Sequence, residues 1–318
     1  MSIPTAAVPS LAGRLSEVLV LDGGLSNALE DRGNDLSGEL WTARLLAEDP
    51  DEIVAVHAAY FAAGAQVATA ASYQASVPGL VAAGLDRAAA ERLVTRSVEL
   101  ARRARDEACV ADGPSGSSGD LLVAASVGPY GAVLADGSEY TGRYGLSDAA
   151  LRDFHAPRLE LLAAAGPDLL AVETIPDQQE AEVLVPLLDE LGLPAWLSFA
   201  VADGRTRAGQ PLADAFAVAV GSPAVVAVGV NCSDAGEVPA ALRTAYDVTG
   251  KPGVAYPNRG ESWDSDARSW VGPGSWDIGG IGGVDGWLDA GARLVGGCCR
   301  VGPSDIAPLA SYVRRRFH

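Results

Sequence analysis

Lysine, histidine and cysteine are all scarce in this chain, and each scarcity removes a class of chemistry. The one lysine, Lys251, opens a short apolar run and belongs at a strand start. An aldolase or isomerase of phosphosugars built on a barrel would want a catalytic lysine at the other end of its strands. The three histidines lie away from the cysteines along the chain, whereas hydrolytic zinc sites favour histidine and carboxylate ligands. Four cysteines in 318 residues are poor material for a disulfide framework. Positive charge is thin as well: 23 basic against 41 acidic residues leave a formal charge of −18. That balance argues against nucleic acid or an anionic membrane as partner, because phosphate neutralisation needs clustered Lys and Arg. The first 15 residues lack the basic start and apolar core of a secretory signal. The most apolar window, residues 217–230, is broken by Gly221, Ser222 and Pro223 and falls short of the roughly 20 residues that span a bilayer. These absences together imply a soluble, cytoplasmic protein with reduced thiols.

What the chain does have is rhythm. Apolar runs occur at 18–21, 66–70, 121–127, 169–172, 195–199, 225–230, 253–256 and 293–296. Between them, apolar residues recur at helical spacing over 51–63, 86–108, 178–191, 211–220 and 235–249. Strand alternating with helix implies a parallel sheet. Eight such strands close into a (β/α)8 TIM barrel, and 318 residues suit one barrel of roughly 250 residues with insertions in its βα loops. No linker separates two cores, so residues 1–318 read as a single domain. The insertions are the glycine-serine tract 112–120 and the tryptophan-rich stretch 258–277, which is a lid, a subunit contact or an irregular loop. The glycine-rich run 278–283 is a poor helix former and delays the seventh helix to about Val284. His57 falls on the apolar face of the 51–63 helix and reads as a satisfied core histidine. The sequence is compatible with a monomer or a small homo-oligomer.

Chemistry in such barrels gathers at the C-terminal strand ends. That places Asp22, Thr69, Ser126, Glu173, Asn231, Cys232, Tyr256, Cys298 and Cys299 around one rim. Cys232 follows one apolar run, and Cys298-Cys299 follow Gly296-Gly297 at the end of the last. If those strand ends are neighbours, three thiolates converge and leave a fourth position open, which is the pattern of a catalytic zinc. Adjacent residues on a strand point to opposite faces. Both paired cysteines reach one ion only if the chain turns there, as Gly296 and Gly297 permit. Other readings stay open at this point. Free cysteine is a common small buried hydrophobe, two late glycines can cradle phosphate, and vicinal thiols can serve a redox sensor or a zinc store.

Three thiolates give zinc a net negative charge, which makes it a poor Lewis acid for water. Such a centre suits thiol activation instead: it favours deprotonation of a bound thiol from a free pKa of about 8.5 and leaves the sulfur able to attack. The natural electrophile is an activated methyl group, and a cationic sulfonium donor is drawn to the negative site. The thioether product is a weak ligand and can leave. Selecting an amino-acid thiol needs a carboxylate for its ammonium group, with Glu173 the first candidate and Asp22 the second. Main-chain N–H groups at Gly23 and Gly24 can serve the carboxylate end. A structural hydrogen bond at the rim is the alternative for Glu173, and packing is the alternative for Tyr73 and Tyr256.

Seven motifs then stand out: Leu21-Asp22-Gly23-Gly24, Thr69-Ala70-Ala71-Ser72-Tyr73-Gln74-Ala75, Ser126-Val127-Gly128-Pro129-Tyr130-Gly131, Glu173-Thr174-Ile175-Pro176, Gly229-Val230-Asn231-Cys232, Tyr256-Pro257-Asn258 and Gly296-Gly297-Cys298-Cys299-Arg300. Through them the chain resembles the homocysteine S-methyltransferases almost end to end. The resemblance implies a (β/α)8 barrel, zinc ligated by Cys232, Cys298 and Cys299, and homocysteine binding that involves Asp22 and Glu173. Gly23, Thr69, Tyr73, Ser126, Asn231 and Tyr256 are the remaining substrate-site candidates at the rim, and Asn231 or a water can fill the fourth zinc position at rest. The stretch from Leu134 to Gly142 is most similar to the branch that takes its methyl group from S-methylmethionine, and also from S-adenosylmethionine. The betaine-using branch is less similar. No cobalamin or folate domain is appended, so a methionine synthase role is not expected. Departures from the family pattern lie in 278–283 and near Gly116, away from the site residues.

Overall fold

The apolar runs fold into strands buried on both sides, as parallel sheets require. The computed structural model describes residues 11–36, 41–112, 121–134, 136–260, 262–264, 269–271 and 283–317. Its parallel sheet has eight strands: β1 Leu19–Val20, β2 Val67–Thr69, β3 Leu122–Val127, β4 Leu169–Ile175, β5 Ala195–Phe199, β6 Val225–Asn231, β7 Gly253–Tyr256 and β8 Ala292–Val295. They are hydrogen-bonded in the order β1-β8-β7-β6-β5-β4-β3-β2. The two outer strands meet through a Leu21–Val67 bridge. There Gln66 N–H donates to Val20 O (2.7 Å) and Asp22 N–H to Val67 O (3.1 Å). The expected barrel is therefore nearly closed, with helices around it.

Alternation along the strands decides what lies inside. Leu122 and Ala124, Leu169 and Ala171, Trp196, Ala227, Val254 and Leu294 form an inner cluster, joined by Leu11 and Leu15 from ahead of β1. Val123, Ala125, Val127, Leu170, Val172, Leu197, Phe199, Val228 and Val230 belong instead to the cluster shared with the helices. The inward register continues to the strand ends, two residues at a time. Thr69 follows Val67, Ser126 follows Ala124, Glu173 follows Ala171, and Ser198 follows Trp196. Asn231 lies four residues beyond Ala227. The barrel interior is thus apolar through its depth and polar only at one mouth.

The helix expected over 178–191 spans Gln178–Leu191, started by the Asp177 side chain accepting from Gln179 N–H and stopped by Gly192 in the left-handed region (φ 70°). The seventh helix begins at Val284, as its glycine-rich approach predicts. His57 is buried as expected, but neither ring nitrogen has a hydrogen-bond partner among the described residues. Burial pushes its pKa down to about 4, so it packs as a neutral ring rather than a satisfied one. Residues 113–120, and much of the tryptophan-rich stretch 258–277, lie outside the described residues. Within that stretch Ser262–Asp264 and Ser269–Val271 pair as antiparallel strands. No helix among the described residues is long and apolar enough to cross a membrane.

One buried cation ties the site-bearing loops together. Arg158, on the helix Asp148–Ala164, donates to Gly128 O (2.9 Å), Ser72 O (2.7 Å) and Tyr73 O (2.7 Å), the segments that follow β3 and β2. Burial lowers its pKa to about 10, so it stays charged at neutral pH. Arg158→Met would strand three carbonyls in the interior, each worth about 1–3 kcal/mol. Urea denaturation of that variant should show a loss of about 3–5 kcal/mol; a loss under about 1 kcal/mol would mean that water takes over the three carbonyls.

Candidate active site

The three cysteines converge at the polar mouth. Cys232 Sγ lies 3.7 Å from Cys299 Sγ, Cys299 Sγ lies 4.0 Å from Cys298 Sγ, and all three sulfurs fall within 4.8 Å of one another. A tetrahedral ion bonded to sulfur at about 2.3 Å holds its ligands about 3.8 Å apart. The cluster therefore fits one metal ion. Among the sulfurs alone, the neighbouring thiols hold the Cys232 thiol well below its usual range, and Cys232 in turn pushes those of Cys298 and Cys299 up.

The segment that follows β7 is the spacer between them. Tyr256 O accepts from Cys232 N–H (3.2 Å) and Pro257 O from Cys298 N–H (2.9 Å). Asn258 N–H donates to Ser233 O (3.0 Å) and Arg259 N–H to Cys299 O (3.1 Å). Asn258 Oδ1 also accepts from Cys299 N–H (3.3 Å). The expected turn at the paired cysteines is present, but the glycines do not supply it by left-handed backbone. The left-handed residues are Cys232 (φ 48°) and Arg300 (φ 68°). Gly297 is required for space instead: a Cβ there would meet the Val301 side chain at 2.2 Å.

Two carboxylates share the mouth with the sulfurs. Asp22 Oδ2 accepts from Thr69 N–H (2.7 Å) and Oδ1 from the Thr69 hydroxyl (3.0 Å). Burial outweighs these bonds and raises the Asp22 pKa to about 8. Glu173 Oε1 accepts a short hydrogen bond from the Ser126 hydroxyl. Burial again dominates, and the Glu173 pKa is raised to about 7 against hydrogen bonds from Ser126 and Tyr256. Among the described residues no basic side chain forms an ion pair with either. A pair of buried acids without a cation is ready to receive one.

Behind them lies a scaffold of neutral groups. Asn231 Oδ1 accepts from Thr174 N–H (2.7 Å) and from the Ser198 hydroxyl (2.8 Å), while its Nδ2 donates to Thr174 Oγ1 (2.8 Å). These bonds hold Thr174 in the left-handed region (φ 60°), directly after Glu173. Tyr256 Oη accepts from Trp196 Nε1–H (2.8 Å) and lies 2.8 Å from Ser198 Oγ. Gly24 N–H is spent on Val301 O (2.9 Å), which corrects its expected place as a substrate donor and leaves Gly23. Lys251 sits at the far end of the strands, where its ammonium donates to Ser222 O (2.9 Å) and Val225 O (2.6 Å).

Sequence reasoning missed several residues here. Tyr140 Oη lies 3.7 Å from Cys232 Sγ, and Glu139 beside it feels the charge of Cys232. Both sit on the 3₁₀ turn Ser138–Tyr140, inside the stretch 134–142 that the family resemblance marked without giving either residue a role. Ser198 could have been found from its inward register with Trp196. Asn258 belongs to the motif Tyr256-Pro257-Asn258, but no chemistry of the sequence assigned it a role.

The family model described as homocysteine S-methyltransferase matches residues 19–313. The chain belongs to this family. The homocysteine S-methyltransferase of Escherichia coli is 47% identical, over 92% of this chain and 94% of its own length. Homocysteine S-methyltransferase 4 of Zea mays is 43% identical over 98% of this chain and 94% of its own. The metallated form of the Escherichia coli homocysteine methyltransferase MmuM superposes with a TM-score of 0.82 at 45% identity, covering 93% of this chain and 96% of that one.

In this homocysteine S-methyltransferase family member the raised Glu173 pKa has a signed consequence. The folded protein keeps a proton on Glu173 that the unfolded chain releases between the ordinary 4.5 and about 7. Its contribution to stability therefore falls as pH rises through that window, by up to about 3 kcal/mol. Glu173→Gln cannot ionise, so its thermal midpoint should fall less than the parent's between about pH 4.5 and 7. Parallel midpoint curves for the two proteins would rule out the raised pKa.

Proposed function

We propose that the protein transfers a methyl group from S-methylmethionine, or S-adenosylmethionine, to homocysteine, forming methionine, with one zinc ion on Cys232, Cys298 and Cys299. The observation that carries this reading is three sulfurs within 4.8 Å of one another beside two buried, unpaired carboxylates. Zinc in a thiolate-rich site supplies thiol activation, lowering the pKa of a bound thiol while leaving its sulfur electron-rich. The chain's own groups do the rest. Glu173 and Asp22 receive the ammonium group of homocysteine, and the arriving cation favours their ionised forms. Ser126 and Thr69 aim those carboxylates through the hydrogen bonds they already donate. The Gly23 N–H is the donor left for the carboxylate end.

Asn231 Oδ1 already accepts from both Thr174 N–H and the Ser198 hydroxyl, so the side chain serves as the brace of Glu173 rather than as a fourth ligand. Tyr256 and Tyr73 form the wall of the pocket. Transfer is in-line displacement at the methyl carbon: the homocysteine sulfur forms the new C–S bond, and the electron pair of the old one stays on the donor sulfur, which departs as a neutral thioether. Proximity and orientation supply much of the acceleration. The span of the family match, 19–313, supports reading the chain as a single barrel domain. A thiol sensor or zinc store would leave Asp22 and Glu173 without a purpose, and a lysine-dependent aldolase has Lys251 at the wrong end.

Cys232→Ser and Cys298→Ser are each expected to lose zinc and methionine formation together, activity falling at least about a hundredfold. Zinc is read by atomic emission on protein purified under reducing conditions, and methionine by chromatography from homocysteine and S-methylmethionine. Turnover surviving in a zinc-free Cys298→Ser protein would sink the reading.

A further inference from the structure

A third carboxylate lies within electrostatic reach of Cys232, on an element that the homocysteine reading does not use. Glu139 stands on the turn Ser138–Tyr140, between β3 and the helix Asp148–Ala164. Its Oε2 is shielded from solvent and has no hydrogen-bond partner among the described residues. So is the hydroxyl of Tyr73, which comes from the segment after β2 and makes no hydrogen bond of ordinary length and angle. Glu139, Tyr73 and Tyr140 lie within electrostatic reach of one another and of Cys232.

The turn is held, not loose. Arg207 Nε donates to Tyr140 O (3.0 Å), and Asp177 Oδ2 accepts from Arg143 N–H (2.8 Å), fixing both its end and its exit. Ser138 N–H donates to Asp136 Oδ1 (3.0 Å) and fixes its start. A buried carboxylate oxygen left without a donor is costly and calls for a ligand that satisfies it. A sulfonium centre is such a ligand. Its positive charge carries no N–H or O–H donor, so it is recognised by an opposite charge and by aromatic faces rather than by hydrogen bonds.

We propose that Glu139, flanked by Tyr73 and Tyr140, is the specificity-determining residue that reads the sulfonium charge of the methyl donor. This rests on the methyl-transfer reading and assigns the donor half of that site. The donor's charge disappears as its methyl group leaves: the C–S bond electrons return to the donor sulfur and the homocysteine sulfur forms the new bond. A carboxylate that holds the charged donor therefore binds the ground state more tightly than the transition state. Its loss should raise KM and leave kcat unchanged or slightly raised.

The test is steady-state kinetics of the full-length zinc-loaded protein with Glu139→Gln, which keeps the side chain's shape. The expected result is a KM for S-methylmethionine raised tenfold or more, with kcat moved less than threefold and KM for homocysteine little changed. Trimethylsulfonium, an onium ion with no ammonium group, should lose at least tenfold in potency as an inhibitor competitive with the donor. Methyl iodide, a neutral donor, separates recognition from folding: methylation of homocysteine by it should fall less than threefold. Equal losses with methyl iodide and S-methylmethionine would mean a structural role and overturn the proposal, as would unchanged trimethylsulfonium inhibition. Tyr140→Phe keeps the ring and should leave the donor KM within threefold, whereas Tyr140→Leu should raise it; equal effects would remove Tyr140 from the assignment. A parent protein that makes no methionine from any sulfonium donor would instead overturn the methyl-transfer reading beneath.

Discussion

Four main-chain polar groups from Tyr256 to Arg259 hold the site together. On one side they fix Cys232 and Ser233, and on the other Cys298 and Cys299, so a single short segment sets the separation of all three sulfurs. This is possible because β7 lies between β6 and β8 in the sheet. The left-handed turns at Cys232 and Arg300 then bring the side chains to one point. Non-glycine residues in that region cost of order 1–3 kcal/mol each and persist where surrounding structure over-determines them. Here the hydrogen bonds of the spacer do so.

The electrostatics of the mouth follow from its depth. Three thiols and the carboxyls of Asp22, Glu173 and Glu139 gather where the barrel stops being apolar, and the described residues bring no basic side chain into ion-pairing contact with those three carboxyls. Burial is the first cause of every raised carboxyl pKa among them. The chain holds a set of acids whose ionised forms are disfavoured until cations arrive. A metal ion, an ammonium group and an onium centre are the three cations that methyl transfer to homocysteine would bring. Buried Arg158 donates its hydrogen bonds to main-chain carbonyls and organises loops, and its charge only partly offsets the burial of Glu173.

Much of this was legible in the residues. The eight apolar runs became the eight strands, and Asp22, Thr69, Ser126, Glu173, Asn231, Tyr256 and the cysteines all lie at their C-terminal ends. What escaped were contacts set by loop conformation. Gly24 reads as a free donor until its N–H is seen bonded to Val301 O. Asn231 or a water reads as the fourth zinc ligand until Asn231 Oδ1 is seen accepting from both Thr174 and Ser198. Glu139 and Tyr140 sit in a turn without periodicity, and His57 keeps its expected burial without its expected hydrogen bonds.

The barrel was written in the order of residues, because strand and helix periodicities are local properties that each segment carries alone. That order also sets which face of each strand is polar at its end, since alternation is geometric. It took the folded chain to bring Cys232 and Cys299, 67 positions apart, to a sulfur–sulfur distance of 3.7 Å. The same folding settles which rim groups are spent on their neighbours and which are left for a ligand. Hydrogen bonds between loops depend on where closure of the sheet brings distant segments, and no local pattern encodes that distance.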